Sequence, residues 1–190
     1  ASFAWYVTLE SLGILPSEEI ENYCSSKGIL GMHPDRGTSG IITSTGSLGH
    51  GLGMGAGMAL YEKVFQEDRN VFVIMSDGEL QEGSVWEIFL QAPALGLNSL
   101  VGFVDYNNLQ SMDFTNNSHP NFYPLKEKIE AFGWEVMEVD GHNQEQIFNA
   151  VQNRSGDKPF FLVGKTVKGK GVSYMENVPM WHYRSPNPEE

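Results

Sequence analysis

Two short polar turns, each closing an apolar run, constrain this chain more than any other feature. Ser76-Asp77-Gly78-Glu79 follows the run Val71 to Met75, and Asp105-Tyr106-Asn107-Asn108 follows Leu100 to Val104. Both runs are rich in Val, Ile, Phe and Leu at strand length, and the stretch between them reads as one helix. A strand-helix-strand unit makes its strands parallel, because the chain must cross back before it pairs again. Parallel strands end at one edge of the sheet, which is where open α/β sheets bind ligands. The sequence therefore predicts that Asp77 and Asn107, 30 positions further on, meet at that edge.

The atoms of these two side chains say what such a meeting could do. A carboxylate, an amide oxygen and a nearby backbone carbonyl form a hard oxygen set that suits Mg²⁺ or Ca²⁺ and matches zinc poorly. Mg²⁺ takes six oxygens in a near-regular octahedron, so a ligand with phosphate oxygens would complete the site. Gly78 would let backbone N–H groups approach those phosphates closely. Taken singly, each turn has a plainer reading, since Asp, Asn and Gly dominate turns and Asn tolerates a left-handed bend. The pairing is what favours the ion.

The remaining pattern continues the alternation of strand and helix, so the fold class is α/β, a parallel sheet flanked by helices. The first 30 residues read as a helix, a start signal at Pro16-Ser17 with Glu18 and Glu19 in the first turn, and a second helix to about Tyr23. Helices are also predicted over 125–132 and 144–153, and strands over 135–139 and 160–167. Leu48 to Phe65 reads as a helix despite glycines at 49, 51, 53, 55 and 57. Each of these costs up to ~1 kcal/mol in a helix interior. Tight packing would explain them, and so would close approach of another backbone or a flat ligand to the helix start.

Composition narrows the field. A chain of 190 residues with 41% hydrophobic content can bury one core, which suits a single module over 1–190. A net charge of −12 and a pI near 4.8 argue against nucleic acid or an anionic membrane as partner. No apolar run approaches the ~20 residues that span a bilayer. Cys24 is the single cysteine, so no intrachain disulfide is available, and the start lacks a signal-peptide pattern; the cytoplasm is the simple inference. The stretch from Gly164 to Gly171 has the glycine and lysine spacing of a phosphate-binding loop, but Gly171 stands where a Ser or Thr hydroxyl would be needed.

Several ordered stretches resemble transketolases. Ser76-Asp77-Gly78-Glu79-Leu80-Gln81-Glu82-Gly83, Trp86-Glu87 and Val104-Asp105-Tyr106-Asn107-Asn108-Leu109-Gln110 are similar to their thiamine diphosphate motif. Gly31-Met32-His33-Pro34, Ser44 to Gly51, and Lys165 to Gly171 running on to Trp181-His182 match in the same order. The resemblance implies that Asp77, Asn107 and the backbone carbonyl of Leu109 hold a divalent ion, Mg²⁺ or Ca²⁺. It also implies that Gly78, Glu79 and Asn107 belong to the cofactor site and that Gly46, Ser47 and Leu48 contact the thiamine rings. His33 would lie near the donor's hydroxyl groups, and Lys168 and His182 near the cofactor's phosphate and thiazolium side. Glu82 matches an acid in the carboxylate network linking two active sites. His119 and His142 receive no role; His142 is expected in a turn before the helix at Gln144.

The pattern has departures. Ser76, Met32 and His50 replace the residues common at those positions, and Met32 and His50 bear on the donor sugar. A histidine of the family expected just before Ala1 is missing, which implies a fragment or a shortened start. The pyrimidine-binding module of the family is also missing. The resemblance thus implies one subunit of a split enzyme, working with a second polypeptide in a hetero-oligomer of α2β2 type, moving a two-carbon ketol unit between sugar phosphates. Two alternatives stay open: another thiamine diphosphate enzyme, such as a deoxyxylulose phosphate synthase, a 2-oxoacid dehydrogenase component or one feeding a carrier protein, and a non-catalytic homologue.

Overall fold

Two short helices open the chain in the computed structural model, which describes residues 2–111, 113–187 and 189. The chain forms two compact units, Ala1–Ser47 and Leu48–Glu190. In the first, α1 (Ser2–Ser11) and α2 (Ser17–Glu21) enclose a small core of Tyr6, Leu9, Leu15, Leu30 and Ile41. The second helix is shorter than predicted. Cys24 takes a left-handed φ of 54° and its N–H donates to the Leu30 carbonyl at 2.9 Å, so the backbone turns away before another helical turn can form.

The second unit runs α3 (Gly51–Phe65), β1 (Val71–Ser76), a 3₁₀ turn at Glu79–Gln81, α4 (Gly83–Ala94) and β2 (Leu100–Tyr106). Then come β3 (Leu109–Gln110), β4 (Asp113–Phe114), α5 (Thr115–Ser118), α6 (Leu125–Ala131), β5 (Glu135–Asp140), α7 (Gln144–Gln152), β6 (Phe160–Lys165) and a 3₁₀ turn at Pro179–His182. The main sheet has the order β1-β2-β6-β5 with every pair parallel, in the register Val71↔Leu100, Val101↔Phe160 and Glu135↔Phe160. The turns after Ser76, Tyr106, Asp140 and Lys165 therefore share one edge, and the two apolar runs predicted this for the first two. Gly164 lies inside β6, so the phosphate-loop spacing falls within a strand.

One face of the sheet carries the main core. Val73, Met75, Leu100, Val104, Phe161 and Val163 pack there against Leu52, Ala56 and Ala59 of α3, Phe89 of α4 and Ile129 of α6. On the other face Val101, Phe160 and Leu162 meet Ala150 of α7. Phe72 and Ile74 on β1 point to that second face and are 60% and 74% exposed. The unbroken apolar run thus hides an alternation, Val71, Val73 and Met75 turning inward and Phe72 and Ile74 outward.

The helical glycines divide by what they face. A Cβ on Gly55 would sit 2.3 Å from Val73 Cγ2, so this glycine lets α3 lie directly on β1. A Cβ on Gly57 would meet nothing within 4 Å. Alanine scanning should separate them. Gly55→Ala should lower stability by about 1–3 kcal/mol through overpacking, even after the gain in helix propensity. Gly57→Ala should raise it by about 0.5–1 kcal/mol. Denaturant midpoints of the two variants moving in the same direction would contradict the packing described here.

Candidate functional site

Parallel pairing of β1 with β2 brings Asp77 to the turn after Tyr106. The backbone makes the first link, Asp77 N–H donating to the Asp105 carbonyl at 3.3 Å. The Asp77 side chain makes the second and is fully buried. Its Oδ2 accepts from the Asn108 N–H at 2.6 Å and from the Tyr123 hydroxyl at 2.8 Å, while its Oδ1 accepts from the Gly78 N–H at 2.9 Å. Burial pushes its pKa above the usual carboxylate range, against the pull of these three donors. No Lys, Arg or His forms an ion pair with it among the described residues.

The turn that carries Asn107 is thus held against Asp77 through the Asp105 carbonyl and the Asn108 N–H. Asn107 Oδ1 accepts from the Leu109 N–H at 2.9 Å, which folds the turn. The left-handed bend belongs to Asn108, with φ of 59°, and its carbonyl and Oδ1 accept from Thr115 and Asn116. Gly78 has an ordinary helical φ of −60°. A Cβ there would make only ordinary contact with Gln110 Cβ at 3.4 Å, so neither the backbone nor the packing within this chain demands glycine. Among the described residues there is no cluster of three or more His, Cys, Asp and Glu that could hold a metal. The donor set is one buried carboxylate, one amide oxygen and backbone, which fits a hard cation bringing its own counter-ligand.

Glu79 and Glu82 serve the start of α3. Glu79 Oε1 accepts from the Gly49 N–H at 3.0 Å, and the Ser84 hydroxyl donates to the Gly49 carbonyl at 2.9 Å. Gly49 lies so close to Glu82 that a Cβ on it would be 2.6 Å from Glu82 Cβ. Leu48 is thus held beside the turn that follows Asp77, and Gln81 is hydrogen-bonded to Gln110 across the same edge. In the first unit, His33 packs on Gly46, whose φ is 122° and whose Cβ would lie 2.9 Å from the imidazole ring. Ser47 follows directly.

Lys168 and His182 lie on the segment that leaves β6 at the same edge. The Ser111 and Tyr183 hydroxyls meet at 3.2 Å, setting the 3₁₀ turn with His182 beside β3. Desolvation, with the Lys168 ammonium nearby, holds the His182 imidazole below its ordinary pKa. Sequence reasoning missed three contributors. Tyr123 reaches Asp77 and stacks on Tyr106, with ring centroids 4.5 Å apart. His142, in its predicted turn, accepts the Val167 N–H on Nε2 at 2.8 Å and so steadies the approach to Lys168. Asn108, and not Asn107, makes the direct contact with Asp77. Only Asn108 carried a signal, its place in the Asp-Tyr-Asn-Asn turn.

A parallel sheet that gathers a buried carboxylate, an amide turn and a glycine at its strand ends defines an α/β domain that binds its ligand at that edge. Residues 1–184 match the family described as transketolase, thiamine diphosphate binding domain. The chain belongs to that family. It is 37% identical over 189 residues to an apulose-4-phosphate transketolase subunit from Phocaeicola vulgatus, covering 98% of this chain and 67% of that protein. It is 38% identical over 176 residues to 6-deoxy-6-sulfo-D-fructose transketolase subunit SqwG of a Clostridium species, covering 91% of this chain and 64% of that one. The crystal structure of transketolase from Campylobacter jejuni superimposes with a TM-score of 0.78 at 29% identity, over 84% of this chain and 26% of that chain. The chain thus spans about two thirds of the first two relatives and about a quarter of the solved enzyme. Among the described residues no helix is long and apolar enough to cross a membrane.

Proposed function

We propose that this chain is the diphosphate-binding subunit of a cytoplasmic, thiamine diphosphate-dependent transketolase, moving a two-carbon ketol unit from a ketose phosphate to an aldose phosphate. The observation that carries the reading is Asp77, a wholly buried carboxylate at the end of β1 with hydrogen bonds from Gly78, Asn108 and Tyr123, in a chain of the transketolase family. Asp77, Asn107 and the Leu109 carbonyl would hold Mg²⁺ or Ca²⁺. Gly78, Asn107 and Lys168 would face the diphosphate, with Glu79 acting through the loop it holds.

Gly46, Ser47 and Leu48 would lie against the thiamine rings, His33 would bind the donor's hydroxyl groups, and His182 would serve in proton transfer on the phosphate and thiazolium side of the cofactor. Glu82 would belong to a carboxylate relay between paired sites. The cofactor supplies covalent catalysis of carbon–carbon bond cleavage and formation. The two relatives are named as subunits, which supports a second polypeptide carrying a pyrimidine-binding module and an α2β2 assembly.

Calorimetric titration of thiamine diphosphate with Mg²⁺ into the chain together with the polypeptide encoded beside it tests the binding. A ketose-phosphate turnover assay against a pyruvate assay tests the reaction. Cofactor binding followed by ketol transfer is expected. Turnover of pyruvate alone would assign another thiamine enzyme, and binding with no turnover of either would leave a non-catalytic homologue.

A further inference from the structure

Resting on the reading of Asp77 as an ion ligand, we infer that Tyr123 is a positioning residue that commits Asp77 to binding the ion through Oδ1 alone. A carboxylate offers about four acceptor positions, two on each oxygen. Asn108 N–H at 2.6 Å and the Tyr123 hydroxyl at 2.8 Å fill both positions on Oδ2, and Gly78 N–H at 2.9 Å fills one on Oδ1. The remaining position is on Oδ1. Tyr123 is also held so that it delivers this bond. Its ring stacks on Tyr106 at 4.5 Å and meets Phe122 edge-on at 5.1 Å. The buried Thr115 side chain lies on its remaining side and interacts with the phenol. The phenol is thus walled in by rings and one small polar group, with Asp77 as its acceptor.

The consequence is ionic selectivity. A carboxylate restricted to one oxygen suits a small ion with rigid sixfold coordination, whereas a larger ion with six to eight ligands gains from grasping both oxygens. Removing the hydroxyl opens a position on Oδ2, so the larger ion recovers a contact that the smaller one cannot use.

The test is titration of Mg²⁺ or Ca²⁺ against thiamine diphosphate binding, measured calorimetrically on the chain assembled with its pyrimidine-binding partner. Tyr123→Phe is expected to raise the half-saturating Mg²⁺ concentration roughly tenfold, within the range for lost outer partners of a metal ligand. The Ca²⁺ requirement should change by less than about threefold on the same grounds. Tyr106→Phe, which keeps the stacked pair, should change neither. If Tyr123→Phe fails to fold, 3-fluorotyrosine at 123 keeps the shape and strengthens the donor, and the Ca²⁺ to Mg²⁺ ratio should move the opposite way. Equal factors for both ions, or no change, overturn the role of Tyr123. If Asp77→Asn also leaves both titrations unaltered, the ion site itself is wrong.

Discussion

Asp77→Ala should abolish the thermal stabilisation that thiamine diphosphate and Mg²⁺ give the assembled protein. A ligand at a hundred times its dissociation constant stabilises the native state by about 2.7 kcal/mol. For a domain of this size that corresponds to a rise in Tm of roughly 5–10 °C. The variant should show none of it at the same concentrations, with affinity reduced at least about a hundredfold, beyond the loss typical of outer partners of a metal ligand. Without ligand, the variant should melt close to the wild type. Asp77 is fully buried with no cation paired to it among the described residues, so removing the charge relieves a desolvation cost while the three donors lose their acceptor. Equal ligand-induced shifts in both proteins would show that Asp77 is a structural turn residue and nothing more.

The second large effect is expected at Gly49. Its φ of 83° is in the left-handed region, and a Cβ would be 2.6 Å from both Glu82 Cβ and Ser84 Oγ. Gly49→Ala combines a backbone penalty of about 1–2 kcal/mol with overpacking of about 1–3 kcal/mol. A loss of about 2–5 kcal/mol follows, read as a fall in Tm of roughly 5–20 °C. Ser84→Ala removes only the hydroxyl that donates to the Gly49 carbonyl at 2.9 Å and should cost about 1 kcal/mol. Should Gly49→Ala prove milder than Ser84→Ala, the close approach of α3 to the Glu79–Ser84 turn would be refuted.

How much of this was legible in the sequence depends on the range of each interaction. The parallel pairing of β1 and β2 and the meeting of Asp77 with the 105–108 turn follow from local apolar runs and the crossover between them, so a short stretch of chain sufficed. The placement of β6 between β2 and β5 depends on how whole faces pack, and no local pattern states it. Tyr123 is 46 positions from Asp77 and reads in sequence as an aromatic before a proline, yet its hydroxyl closes the carboxylate's shell. His142 lies in a turn that local pattern predicts, but its bond to Val167 spans 25 positions. Glu79 shows a different limit. The motif assigned it to the cofactor site, and only the folded chain shows its carboxylate turned onto the Gly49 backbone. The five glycines likewise could not be told apart until Val73 and Glu82 were seen beside two of them.

The sealed surroundings of Asp77 bear on how long the protein lasts in a cell. Asp77 is buried at the end of a core strand, so a ligand held there would stabilise the folded domain and leave the empty form the less stable, and proteases act on the fraction of molecules that open. On the proposed reading, molecules that fill the site would be spared and empty ones cleared. Abundance would then follow the supply of vitamin-derived cofactor with no change in gene expression, and starvation for the vitamin would deplete the protein together with its activity.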